Sequence, residues 1–215
     1  MSTRPPLSRL DALLANVDHG LRVVFGSTKG ARPSPALTLA TPSDLSPQEA
    51  RLAGALMRVN HVGEICAQAL YQSQALLTRN PVLRTHFAHA AKEELDHLAW
   101  TQQRISELGS HTSYLNPIWY GGAFAIGSLA GLAGDSISLG FVVETERQVE
   151  QHLATHLDQL PAGDLHSRSI VAQMKVEEAR HAEEATAAGA QPLPAAVKGL
   201  MRGAARVMTR TAHYV

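Results

Sequence analysis

A single cysteine, Cys66, stands in a chain of 215 residues. No internal disulfide can form, and there is no Cys-x-x-Cys pair for a rubredoxin-type or structural zinc site; a reducing compartment is the expected setting. Charge of one sign is equally missing. Lys plus Arg (19) equals Asp plus Glu (19), so no global field draws in nucleic acid or an acidic partner, and no nucleic-acid partner is expected. No segment alternates polar and apolar residues with period two, which removes strands and leaves an all-α fold. The opening stretch, MSTRPPLSRLDALLANVDHG, carries charges where a signal peptide needs an unbroken apolar run, so it reads as uncleaved and cytosolic. A G-x-G-x-x-G fingerprint is also absent, so no built-in nucleotide-binding reductase is expected.

What is present suits one globular domain. An apolar fraction of 45% against 18% charged residues is enough to bury a real core. Residues 8 to 25 have helical apolar spacing, with Ser8 and Asp11 as a capping pair, and Gly26 to Ser46 is a Gly/Ser/Pro/Thr-rich linker or surface strap. This divides the chain into an N-terminal helix and linker (1–46) and a main domain (47–215). Ser46-Pro47-Gln48-Glu49 predicts a strong helix start, running to about Thr78. Asn80-Pro81 starts a second helix that Leu108-Gly109 closes, and a Gly-rich, uncharged segment runs from about Pro117 to Ala133. Asp135 is expected to cap a fourth helix reaching Leu160, Asp164 a fifth ending near Gly189, and an amphipathic helix follows over roughly 194 to 212.

Two segments read alike: Lys92-Glu93-Glu94-Leu95-Asp96-His97 and Val176-Glu177-Glu178-Ala179-Arg180-His181. Each holds a Glu-x-x-His, and residues three apart share a helix face at about 5–6 Å between Cβ atoms, so carboxylate and imidazole can reach one metal ion. One such motif is weak evidence, whereas two, each preceded by a helical hairpin, are not. In an antiparallel hairpin, the residue opposite a given position lies about as far before the turn as that position lies after it. Glu64 is the match for Glu94 about Asn80. About Ala162 the choices opposite Glu178 are Glu144, Glu146 and Glu150, and Glu146 fits best. The set Glu64, Glu94, His97, Glu146, Glu178 and His181 is the ligand pattern of ferritin-like di-iron and di-manganese carboxylate bundles. Charge points the same way. Four carboxylates in a bundle core each cost several kcal/mol to desolvate unpaired, and two divalent cations neutralise them. Mixed oxygen and imidazole donors suit iron or manganese, and zinc, which would suit the ligands, cannot activate O2.

The stretches Arg58-Val-Asn-His-Val-Gly-Glu64, Glu93-Glu-Leu-Asp-His97, Phe141-Val-Val-Glu-Thr-Glu146-Arg-Gln-Val-Glu-Gln-His152 and Glu178-Ala-Arg-His181 resemble the demethoxyubiquinol hydroxylase family, from about Ala50 to the C-terminus. The resemblance implies a ferritin-like di-iron monooxygenase that inserts one atom of O2 into the ring of a polyprenylated methoxy-quinol in ubiquinone biosynthesis. It carries over the same six ligands, with two iron ions as the expected cofactors, and supports Glu146 over Glu144. Its implied partners are the quinol, O2, an external electron donor and other ubiquinone-biosynthesis proteins. Two other readings share the ligand pattern: a ferritin-like ferroxidase or peroxide scavenger, and a non-catalytic membrane-bound metal or lipid carrier. Around the ligands, the resemblance puts His152 near the site as a proton-transfer or orienting residue, against a polar bundle contact. Tyr71, two turns after Glu64, points at iron or substrate, or packs in the core. His61 and Glu150 could hydrogen-bond to ligands, and Cys66 reads as a small core residue.

Residues 112 to 134 carry no charge, a length that could span a membrane. A span there would put the two Glu-x-x-His hairpins on opposite sides, so the segment reads instead as lying on the membrane or lining the way in for an isoprenoid tail. Lys198, Arg202, Arg206 and Arg210 recur every four residues opposite Val197, Leu200, Met201, Val207 and Met208, a helix suited to anionic headgroups. Peripheral attachment to the cytoplasmic face of the cell membrane is expected.

Overall fold

The computed structural model describes residues 9–26, 28–39 and 44–215. Its elements are α1 (Arg9–Phe25), a short 3-10 helix (Pro35–Thr38), α2 (Pro47–Leu77), α3 (Pro81–Glu107), α4 (Asn116–Leu132), α5 (Asp135–Gln159), α6 (Leu165–Ala187) and α7 (Ala195–Ala212). The described residues contain no strand, as the missing alternation predicts. Ser8, expected to cap this first helix, lies outside the described residues.

Local chemistry sets most helix ends. The Ser46 hydroxyl accepts from the Glu49 amide at 3.3 Å while the Glu49 carboxylate accepts from the Ser46 amide at 2.9 Å, closing the capping box ahead of α2. Asn80 caps α3 through Val82 N at 3.0 Å, and α3 ends where Gly109 turns left-handed at φ 65°. Asp164 caps α6 through Ser167 N at 3.0 Å and also accepts from Arg104 Nη2 at 2.8 Å, pinning α6 to α3. Asp135 departs from expectation. The cap of α5 is Gly134, at φ 109°, and Asp135 is already inside the helix, where its carboxylate accepts from Thr78 Oγ1 at 2.8 Å. A glycine can take that backbone angle without a Cβ penalty, which frees the carboxylate to tie α5 to the end of α2.

α2 pairs with α3 and α5 with α6 as two antiparallel hairpins, and together they form a four-helix bundle. Packing is closer within each hairpin than between them, which leaves room along the axis for side chains from all four helices. One end is filled by Leu56, Met57, Ile105, Leu153, Ile170 and Met174, the other by Tyr71, Leu83, Phe87, Leu139, Val142 and Ala185. Each helix is therefore apolar at both ends of its inner face and polar in the middle.

α4 lies along the outside of α2, and its glycines make that possible. A Cβ on Gly127 would fall 2.2 Å from Ser73 Oγ and 3.1 Å from Leu70 Cα, so only glycine lets the two helices approach this closely. Trp119 and Phe124 are partly buried against α2, whereas Ile118, Leu129 and Leu132 face outward. No helix among the described residues is long and apolar enough to cross a membrane.

α7 returns against α2 through Met208 and Ala212 and also meets α5. Its basic stripe is split. Lys198 and Arg202 turn to Glu144 of α5, at 3.0 and 3.6 Å, while Arg206 and Arg210 are exposed beside Leu200 (75% exposed) and Val207.

Candidate metal centre

The bundle axis brings Glu64 from α2, Glu94 and His97 from α3, Glu146 from α5, and Glu178 and His181 from α6 into one buried cluster, none more than 3% exposed. Each arrives because its helix is polar only at its midpoint between the two apolar layers. The six divide into two overlapping groups, Glu64/Glu94/His97/Glu178 and Glu94/Glu146/Glu178/His181, each with donor atoms within 4.8 Å of one another and each able to hold a metal ion. Glu94 and Glu178 belong to both. Glu94 turns Oε2 toward His97 Nδ1 at 2.9 Å and Oε1 toward His181 Nδ1 at 2.9 Å. Glu178 repeats this, with Oε1 at 3.3 Å from His97 Nδ1 and Oε2 at 3.6 Å from His181 Nδ1.

Several of these contacts are close without being hydrogen bonds. Glu94 Oε1, Glu178 Oε2 and His181 Nδ1 are buried and have no aligned partner, a costly arrangement unless something else satisfies them. Burial, then the neighbouring Glu94 carboxylate, push Glu64 well above the ordinary carboxyl range; burial, then Glu178, do the same to Glu146. Burial also opposes charge on His181, yet Glu178 and Glu94 outweigh it and push that imidazole up to about 12. The donor set is one that could hold metal ions.

The far nitrogens of the two imidazoles are held crosswise. His97 Nε2 donates to Glu177 at 2.6 Å, and His181 Nε2 donates to Glu93 at 2.9 Å. An ionised carboxylate can only accept, so Nε2 carries a proton in each ring, and loss of the Nδ1 proton is what would turn a lone pair toward the cluster. Glu93 and Glu177 were not singled out by the sequence reading. Their signal was the doubled Glu-Glu in both copies of the motif, each first Glu serving the histidine of the other copy.

Other residues take varied places. The Tyr71 hydroxyl donates to Glu146 Oε1 at 2.5 Å. His152 belongs to neither group; its ring packs on His156 with centroids 3.9 Å apart, and its Nε2 is buried without a partner. His61 is buried, and burial pushes it down to about 4, so it is neutral. Glu150 pairs with Arg147 at 3.1 Å, and Cys66 packs among apolar side chains, where burial pushes its thiol up to about 12. Glu144 faces α7, away from the axis. A cavity of about 670 Å³ opens between α1, α2 and α3, and Tyr71, Leu76, Phe87, Ala91 and Leu95 line it.

Comparison with known proteins follows the same lines. Residues 51–212 match the family model described as Ubiquinone biosynthesis protein COQ7. A protein of Polaromonas sp. named 3-demethoxyubiquinol 3-hydroxylase is 59% identical over 206 residues, covering 96% of this chain and 98% of the relative. One of the same name from Methylibium petroleiphilum is 56% identical over 209 residues, covering 97% and 99%. With a match across three quarters of its length and near-complete alignment to such relatives, the chain belongs to the COQ7 family of ubiquinone biosynthesis proteins.

Proposed function

We propose that this chain is a di-iron 3-demethoxyubiquinol 3-hydroxylase, with Glu64, Glu94, His97, Glu146, Glu178 and His181 as the iron ligands. The observation that carries this reading is the sharing of Glu94 and Glu178, each offering one oxygen to each of two histidine-containing groups. Two divalent cations would neutralise the four carboxylates, and the mixed oxygen and imidazole donors suit iron. Iron bound there would supply binding and activation of O2, redox chemistry that the side chains lack.

The rest is the work of the chain. One oxygen atom replaces a ring C–H with C–OH and the other leaves as water, which requires two further electrons and two protons, from the quinol itself or from a separate donor. The cavity between α1, α2 and α3 is the proposed seat of the quinol, because its largely apolar wall includes Tyr71, whose hydroxyl touches Glu146. Phe87, Leu76 and Ala91 shed water from the ring, and the two apolar layers keep bulk water from the cluster. Glu93 and Glu177 fix the imidazole orientation.

Peripheral membrane attachment is part of the proposal. Leu129 (68% exposed) on α4 and Leu200 and Val207 on α7 are exposed apolar side chains, and Arg206 and Arg210 of α7 are exposed as well. Ile126, Leu129, Phe141 and Val197 line a groove that joins the two helices. Such a surface suits anionic headgroups and the acyl boundary below them, where a polyprenyl substrate resides.

The test is anaerobic reduction of iron-loaded protein followed by demethoxyubiquinol and 18O2. A hydroxylated quinol carrying one 18O is expected; iron oxidation with unchanged quinol would favour a ferroxidase instead.

A further inference from the structure

Both imidazoles of the cluster are held from behind by a carboxylate, but the two carboxylates are anchored differently. Glu93 is held by Arg180 at 2.9 Å, a residue of α6 next to His181 itself. Glu177 is held by Arg32, from the segment between α1 and α2 and outside the 51–212 family match. Nη1 and Nη2 of Arg32 fork onto the two oxygens of Glu177 at 2.6 and 2.8 Å. Its Nε reaches Asp96 at 2.6 Å, and Asp96 also accepts from the backbone amides of Ala31 and Arg32 at 2.5 and 3.1 Å. Trp100 closes the arrangement, donating from Nε1 to the Arg32 carbonyl at 3.2 Å, with the guanidinium 4.9 Å over its ring. Further along, Ala36 is buried in the same core layer as Met57 and Met174. Residues 28–39 thus form a strap docked across α3 and α6.

A continuous chain of contacts therefore runs from the strap to the cluster: Asp96, Arg32, Glu177, His97 Nε2. A bidentate guanidinium–carboxylate pair fixes orientation as well as charge. Without it Glu177 keeps only one tie besides His97 itself, from Gln173 at 2.7 Å, and can turn away from His97. We propose that Arg32 is a positioning residue for the metal centre: through Glu177 it aims His97 Nδ1 at the Glu64/Glu94/Glu178 side, so that this metal position and docking of the strap depend on each other. The inference rests on the two-metal reading of the cluster.

The test is anaerobic titration of metal-free, full-length protein with Co(II), read by ion count, affinity and the visible ligand-field spectrum. Arg32→Gln is expected to weaken one of the two ions by about 10–100-fold and to change only that ion's spectrum. Arg32→Lys should recover only part of the loss, because an ammonium cannot make the forked pair. Arg32→Gln added to Glu177→Gln should cost nothing more, since the effect passes through that carboxylate. By linkage, Co(II) should slow proteolysis within 28–39 in the wild type and do so less in Arg32→Gln. Two ions bound with wild-type affinity and spectrum in Arg32→Gln would overturn the proposal, and so would equal weakening of both ions with loss of helical circular dichroism, which marks a general packing role. Uptake of fewer than two ions by the wild type would instead defeat the two-metal reading itself.

Discussion

The Tyr71 hydroxyl of α2 donates to Glu146 of α5 at 2.5 Å, and the same side chain forms part of the wall of the cavity between α1, α2 and α3. Tyr71 thus joins the proposed quinol seat to the proposed iron ligands. Tyr71→Phe keeps the ring packed near Phe87, at 6.3 Å between centroids, and removes only the hydrogen bond. Two irons should be retained while turnover falls about 10–100-fold; iron analysis alongside steady-state rates checks this.

Sharing of ligands predicts unequal losses. Glu178 belongs to both groups, whereas Glu64 and Glu146 each belong to one. Glu178→Ala should lose both irons and all activity. Glu64→Ala should retain metal on the His181 side, visible as about one tightly held ion per chain by elemental analysis after dialysis.

Glu144 and Glu146 lie two residues apart and face opposite ways. Glu144→Ala should leave iron and turnover nearly intact and weaken α7 by about 1 kcal/mol or less, since its ion pairs with Lys198 and Arg202 are partly screened by solvent. Glu146→Ala should abolish turnover. Comparable activity loss in both variants would place the α5 register wrongly.

Metal affinity should rise with pH. In the metal-free protein, burial and neighbouring carboxylates push Glu64 and Glu146 up and His181 is pushed up to about 12, so these groups hold protons more tightly than free side chains do. A metal ion competes with protons for these groups, so binding releases protons and strengthens as pH increases. Calorimetry of Co(II) binding in buffers of different ionisation enthalpy should report net proton release; a pH-independent affinity would contradict it.

Lipid binding should depend on the outer half of the α7 stripe. Arg206→Gln with Arg210→Gln should remove about 2 kcal/mol of attraction to anionic vesicles at low salt, whereas Lys198→Gln with Arg202→Gln should remove less, because Glu144 already engages that pair. Vesicle sedimentation across a salt series distinguishes the two double variants.

The sequence by itself determined the helices and the six polar positions at their midpoints. Ser46, Asn80, Asp164 and Gly109 act through neighbours a few residues away, so their effect is local and readable. The repeated Glu-x-x-His and the symmetry of Glu64 and Glu146 about their turns were legible because an antiparallel hairpin fixes what lies opposite what. Only the tertiary structure decided which groups stand behind the proposed ligands. Glu177 reaches His97 across 80 positions and Arg32 reaches Glu177 across 145, distances over which no helical period carries information. The same holds for Asp135, whose carboxylate serves Thr78 rather than its own helix, and for Gly127, whose missing side chain matters only because Ser73 and Leu70 press against it. Spacing along a helix fixes which face a residue shares; what waits on the other side of that face depends on how the helices pack.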